Sequence, residues 1–204
     1  KKIHKNFLEP SQQQLNSLLE CYQAGRYVDA EKLSLSITEE FPKHQFAWKV
    51  LGAALKQMGR INESLIASQK SVQLDPQDAE AYYNLGVILQ ELGRLNEAEV
   101  SLRQAIALKP NYAEAHINLG VIMNEQGRLD EAGVSLRQAI ALKPDYAEAH
   151  INLGNTLKEL GRLDEAGVSL RQAIALKPDL AEAHNNLSNT LKELGKLDEA
   201  EASY

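Results

Sequence analysis

An all-α solenoid of antiparallel helix pairs is the fold class this sequence predicts, and three observations predict it. The stretch Ala147–Leu180, AEAHINLGNTLKELGRLDEAGVSLRQAIALKPDL, matches Ala113–Tyr146 at 28 of 34 positions, and that segment matches Ala79–Tyr112 at 26 of 34. Glycines fall on the same beat at Gly25, Gly59, Gly93, Gly127, Gly161 and Gly195, and prolines at Pro42, Pro76, Pro110, Pro144 and Pro178. Each period also holds two stretches whose apolar residues recur at three- and four-residue steps. A fixed period in this range marks stacked supersecondary units that bury their core only against their neighbours.

Within one unit the elements follow from the residues. Ala149, His150, Leu153, Gly154 and Leu157 share one helical face. Gly161 stops that helix, because glycine tolerates the left-handed conformation at a helix C-terminus. Leu163-Asp164-Glu165-Ala166 starts a second helix, with its carboxylates at the positive end of the dipole. Ala166, Leu170, Ala173, Ile174 and Leu176 form the second apolar face, and Lys177-Pro178-Asp179 ends it, since the residue before a proline avoids helical geometry. Asp179 with Glu182, and likewise Asp145 with Glu148, predict a capping box at the start of the next helix.

The chain divides accordingly. Residues 1–10 form a lead-in outside the repeat, with three lysines and the apolar pair Phe7 and Leu8; its sharper reading is a basic arm that folds back on the array or touches a partner. Residues 11–44 keep Gly25, Ala30 and Pro42 but place Gln14 and Ser17 where later units carry core residues, as expected of an N-terminal cap. Units follow at 45–78, 79–112, 113–146 and 147–180, and 181–204 is a unit cut short in its second helix. In 45–78, Trp48 takes the large core site and Ser64, Ser68 and Ser71 stand at packing positions, while Phe46 is expected toward a groove. Gly133 and Gly167 interrupt second helices at up to about 1 kcal/mol each relative to alanine. A close approach of neighbouring helices is one reason they would be kept.

The small-Leu-Gly-Leu pattern of the first helix, the Gly hinge, the Ala of the second helix and the closing Pro resemble the tetratricopeptide repeat. The resemblance covers residues 11–204 and recurs six times in phase. It implies a right-handed superhelical array whose first helices line a concave, peptide-binding groove, in a setting like that of bacterial cytoplasmic proteins.

Composition excludes several other classes. The net charge is −6 and acidic and basic residues are interleaved, whereas phosphate binding needs a clustered basic surface, so no nucleic acid partner is expected. No apolar run approaches the eighteen or so residues of a membrane span, so no membrane partner is expected either. Cys21 is the single cysteine, which rules out an intrachain disulfide. His116, His150 and His184 recur one period apart, at the site held by Trp48 and Tyr82. Equivalent positions on successive helix pairs lie farther apart than the roughly 8–10 Å of one interhelical distance. Zinc ligands must meet within about 2 Å of one ion. These histidines are therefore expected to pack, with no metal. A phosphate loop, a nucleophile elbow and a catalytic triad are all lacking from the sequence, and neither catalysis nor a cofactor is expected.

The first helices carry a second stripe. With Leu153, Gly154 and Leu157 inward, Glu148, Asn152, Asn155 and Glu159 lie together at steps of four, three and four. Its asparagines, Asn84, Asn118, Asn152 and Asn186, are one period apart; Asn155 and Asn189 join them where Val87 and Val121 stand earlier. Tyr83, Ile117, Ile151 and Asn185 lie beside them, then Gln90, Asn124, Lys158 and Lys192. An amide offers donors and an acceptor, so a row of asparagines can hold a peptide backbone whatever its sequence. The row is similar to the asparagine ladder of O-linked N-acetylglucosamine transferase repeat domains. Its alternative role is local hydrogen bonding that fixes the helices. Glu80, Glu114, Glu148 and Glu182, with Glu91, Glu125, Glu159 and Glu193, would favour a neutral-to-basic ligand if they face it. The carboxylate clamp of some tetratricopeptide proteins is matched by Lys49 and Asn84 but not by Ala53 or Glu114.

The sequence thus predicts a non-catalytic scaffold that binds protein or peptide through Asn84, Asn118, Asn152, Asn186, Asn155 and Asn189, with apolar contacts at Tyr83, Val87, Ile117 and Val121, and with Lys49 beside them. A second reading is the substrate-docking arm of a larger bacterial transferase. A third is a scaffold that forms homo-oligomers by end-to-end stacking through an open C-terminal face.

Overall fold

A computed structural model describes residues 9–196 and Ala200 of the chain. The lead-in over residues 1–8, and most of what would be the second helix of the last unit, lie outside the described residues. Eleven α-helices are present among the described residues. They fall into two compact units, one ending at Leu108 and one beginning at Lys109. Unit 1 holds α1 (Gln12–Gln23), α2 (Tyr27–Glu40), α3 (Gln45–Gln57), α4 (Ile61–Leu74), α5 (Ala79–Glu91) and α6 (Leu95–Leu108). Unit 2 holds α7 (Ala113–Glu125), α8 (Leu129–Leu142), α9 (Ala147–Glu159), α10 (Leu163–Leu176) and α11 (Ala181–Glu193).

Consecutive helices pack as pairs: α1 with α2, α3 with α4 and α5 with α6 in unit 1, then α7 with α8 and α9 with α10 in unit 2. Successive first helices also touch, α1 with α3 and α3 with α5, and α7 with α9 and α9 with α11. The predicted glycine stop is present. Gly161 has φ +72°, its N–H donates to Lys158 O (2.9 Å), and Arg162 N–H reaches Leu157 O (2.8 Å). These two bonds close a Schellman motif over the free carbonyls at the end of α9.

Packing inside a pair rests on a size match. A Cβ on Gly154 would lie 2.7 Å from Leu170 Cγ and 3.4 Å from Ala166 O, so the glycine lets α10 press its leucine onto the α9 backbone. Leu170 and Ala166 are both 0% exposed. Gly133 and Gly167 do nothing comparable. A Cβ there would meet the Arg137 or Arg171 guanidinium, at 3.4 and 3.5 Å, and at Gly167 also Leu187 Cδ1 of α11 at 4.0 Å, an ordinary contact, so the expected close backbone approach at these two positions is not found. The reason is geometric, since each lies beside its own helix's arginine and no neighbouring backbone comes near.

The predicted capping boxes also fail. The N-caps of α9 and α11 are Tyr146 and Leu180, without side-chain hydrogen bonds, because the helices begin one residue too late for Asp145 and Asp179 to cap them. The capping position is filled by an aspartate in α5, where Asp78 Oδ1 accepts from Glu80 N (2.9 Å) and Ala81 N (3.1 Å). The capping box that does form, between Ser11 and Gln14, opens α1.

Second helices start on an arginine fork. Arg60, Arg94, Arg128 and Arg162 each hold the glutamate three residues on, with closest N–O distances of 2.5, 2.6, 2.6 and 2.7 Å. These forks are exposed, and such pairs contribute little stability.

Candidate peptide-binding face

The first helices place the asparagine stripe on one side of each unit. Asn84 in unit 1, and Asn118, Asn152 and Asn186 in unit 2, are all half-buried. Asn155 is half-buried and Asn189 exposed. The amides of Asn84, Asn152 and Asn186 make no hydrogen bond to another residue among the described ones. Thr156 Oγ1 and Thr190 Oγ1 donate to the backbone carbonyls of Asn152 (2.8 Å) and Asn186 (2.7 Å) and do not involve the asparagine side chains. Asn124, further along the α7 stripe, has its Oδ1 shut off from solvent with no partner.

The apolar members behave differently from one another. Tyr83, Val87 and Val121 are half-buried and keep some surface. Ile117 does not. It is 2% exposed and packs with Leu136, Ala139, Ala149 and Leu153, so it belongs to the core of unit 2 and offers a ligand no surface. Its side chain sits at the junction of successive helix pairs, where burial outweighs exposure on the stripe.

Lys49 is also committed. Its Nζ lies 2.9 Å from Asp78 Oδ2 and 2.8 Å from Glu80 Oε2. Gln45 Nε2 donates to the same Asp78 oxygen (2.8 Å) and to Ser71 Oγ (2.9 Å). Burial alone would lower the Lys49 pKa, but the hydrogen bonds to Glu80 and Asp78 hold it above the usual lysine value. Burial would likewise raise Asp78, yet Lys49, the Ala81 N–H and Gln45 keep it below the usual aspartate range. The lysine that could have begun a carboxylate clamp therefore ties α3 to α5.

Part of the acidic flank is engaged by the same kind of link. Lys56 reaches Glu91 (2.8 Å), Lys158 reaches Glu193 (3.9 Å) and Lys143 reaches Glu114 (3.4 Å). Lys143 also stands over the Tyr146 ring, 4.4 Å from its centroid. Glu80, Glu91, Glu114 and Glu193 are thus engaged within the protein, which weakens the expected attraction for a basic ligand.

The histidines pack, as expected from their spacing, through a link that the sequence reading missed. His116, His150 and His184 each bring Nε2 to the carbonyl of the proline six residues earlier, at 3.2, 3.0 and 2.8 Å. Trp48 Nε1 does the same to Pro42 O at 3.0 Å. A carbonyl only accepts, so Nε2 carries the proton in all three histidines. The constant six-residue offset between ring and proline was the available signal. No group of three potential metal ligands occurs among the described residues. No helix among them is long and apolar enough to cross a membrane.

Phe46 is half-buried against the α1–α3 core, with Lys49 Nζ 5.9 Å from its ring centroid. Another unpredicted feature is a row of exposed β-branched residues on the second helices. Ile66, Val100, Val134 and Val168, each one period apart, are 66–68% exposed.

Known proteins match this arrangement. A family model described as TPR repeat matches residues 52–93, 122–161 and 154–195, and two tetratricopeptide repeat models match 79–112 and 101–133. No curated protein sequence matches the chain. Among solved structures, MamA is 26% identical with a TM-score of 0.73, covering 80% of this chain and 95% of its own. PilW, described as a widely conserved type IV pilus biogenesis factor, is 21% identical with a TM-score of 0.85 over 95% of this chain and 91% of its own. YrrB, described as a TPR protein with an unusual peptide-binding site, is 22% identical with a TM-score of 0.73 over 86% of this chain and 91% of its own. At these lower identities, PilW and YrrB speak to the fold alone. With the period, the paired helices and the family models in agreement, this chain belongs to the tetratricopeptide repeat family.

Proposed function

We propose that this chain is a non-catalytic scaffold that holds an extended segment of a partner protein along its first helices. Domains of this family are in general protein–protein interaction scaffolds. The observation that carries the finer reading is the state of the asparagine amides. Asn84, Asn152 and Asn186 stand at one helical position and are half-buried, yet their amides bond to no described residue. A structural role would consume those donors and acceptors locally, as Thr156 and Thr190 do with theirs. An extended backbone presents alternating N–H and C=O groups, the complement that a row of amides requires. In this reading the six units begin at residues 11, 45, 79, 113, 147 and 181, with the first serving as the N-terminal cap.

Backbone recognition has a direct test. Peptides selected from a random-sequence library should share little consensus. Methylating single backbone nitrogens of a selected peptide should weaken binding by about tenfold per critical position, roughly what one lost hydrogen bond with an unsatisfied partner costs. Binding that follows side-chain identity and ignores N-methylation would refute the backbone grip.

A further inference from the structure

A second site lies away from the asparagine stripe, on the other side of the α3–α4 pair. Trp48 of α3 and Ile66, Gln69, Lys70 and Gln73 of α4 line an open cleft of about 370 Å³. That volume suits one or two side chains rather than a folded element. The floor is apolar. Trp48 packs against the buried cluster of Leu51, Leu55 and Ala67 and spends its N–H on Pro42 O, leaving ring surface toward the cleft. Ile66 is 66% exposed beside it.

The rim is polar and carries one sign of charge. Lys70 is the single charged residue of the five, and its Nζ lies 3.2 Å from Gln73 Oε1. That bond holds the Gln73 carbonyl against the lysine and leaves the Gln73 amide N–H groups for another acceptor. Glu63, one turn before Ile66, is held by Arg60 through two hydrogen bonds, so its charge is compensated. A chain of net charge −6 therefore has here an apolar cleft edged by an ammonium and amide donors. The lysine is peculiar to this repeat, because the equivalent positions are Gln104, Gln138 and Gln172.

We infer that this cleft binds the carboxyl-terminal residue of a partner polypeptide, with an apolar side chain on Trp48 and Ile66 and the terminal carboxylate at Lys70 and the flanking glutamine amides. An apolar group beside a carboxylate is the chemistry that matches both floor and rim.

Trp48 is the only tryptophan, so its fluorescence reports on this cleft alone. The full chain is titrated with the acetylated tripeptide Gly-Gly-Leu as its free acid, with the same peptide as its C-terminal amide, and with hexanoate. The free acid should perturb Trp48 and bind about three- to fivefold more tightly than the amide, the range of an exposed ion pair. Lys70→Gln should abolish that difference, and Ile66→Ser should weaken both peptides. Circular dichroism confirms that each variant keeps its helices; both substitutions lie on the solvent side of α4. Equal binding of acid and amide, or no response to either, overturns the inference. Tighter binding of hexanoate than of the tripeptide acid also overturns it, assigning the cleft to small apolar acids instead.

Discussion

The two units show different surfaces on equivalent helix positions. The first helices of unit 1 surround the single ladder asparagine Asn84 with Leu15, Leu19, Tyr22, Phe46, Tyr83 and Val87 along the stripe, and Leu19 is 38% exposed. Those of unit 2 carry Asn118, Asn152, Asn155, Asn186 and Asn189, with Ile117 and Ile151 withdrawn into the core. Unit 1 adds a half-buried ionic clasp, Lys49 with Asp78 and the exposed Glu80, whereas the corresponding helix start in unit 2 is capped by no side chain. Burial, then the neighbouring charges of Tyr27 and Glu80, push the Tyr22 phenol up. One architecture thus supports an aromatic, ion-clasped half and an amide half. The backbone positions are the same; the side chains decide what each half can hold.

The interiors differ in a parallel way. In unit 2 a glycine on the first helix receives a leucine from the second, as Gly154 receives Leu170, and in unit 1 the α5–α6 pair does the same with Gly86 and Leu102. In the first pair of unit 1 the sizes are exchanged: Leu18 stands at the glycine position and Ser34 at the leucine position, both 0% exposed. The largest expected effect follows from this exchange. Leu18→Ala should cost about 3 kcal/mol, measured as the chemical denaturation midpoint, since no neighbouring side chain is placed to refill the space. Gly154→Ala in unit 2 should cost about 2 kcal/mol from the opposite cause, overpacking against Leu170. If both variants were neutral, the size match would not govern how the pairs pack.

The clasp gives the next effect. Asp78→Ala removes a helix cap and a partner of Lys49, and should cost about 1–2 kcal/mol. Its pH dependence has a definite sign. The folded Asp78 pKa is depressed, so its contribution is full above the unfolded value of about 3.9 and is lost as pH falls through the lower folded value. The Lys49 pKa is raised, so its contribution is full below about 10.4 and is lost as pH rises through the higher folded value. The difference between wild type and Asp78→Ala should therefore be flat between these limits and shrink in acid. The smallest effect is a gain. Gly133→Ala and Gly167→Ala should each stabilise unit 2 by about 0.5–1 kcal/mol, because the added methyl meets a flexible arginine and, at Gly167, Leu187 Cδ1 at an ordinary 4.0 Å.

The fold class was legible because period, glycine stop and apolar spacing all act locally and repeat in register. For the histidines, the spacing argued for packing because metal geometry sets a short distance that solenoid spacing does not meet, and what it did not give is the bond from each ring to a proline carbonyl. What sequence reasoning missed depended on one-residue offsets and on depth. Asp145 and Asp179 carry the right chemistry one position too early to cap. Ile117 sits on the stripe by spacing but beneath it by burial, since helical periodicity gives an angle around the axis and not the distance to the next pair. Lys49 looked available because the carboxylates that hold it sit at the start of α5, 29 and 31 residues away.

The asparagine stripe, Asn84 in unit 1 with its counterparts in unit 2, carries the central claim, and one experiment addresses it most directly. Binding of a library-selected extended peptide is compared between the wild-type chain and a variant with Asn84, Asn118, Asn152 and Asn186 all changed to Ala, after circular dichroism shows that the variant retains its helices. The account predicts at least about a hundredfold loss of affinity, the product of several weak hydrogen bonds removed together. A folded variant that binds as well as the wild type would contradict it.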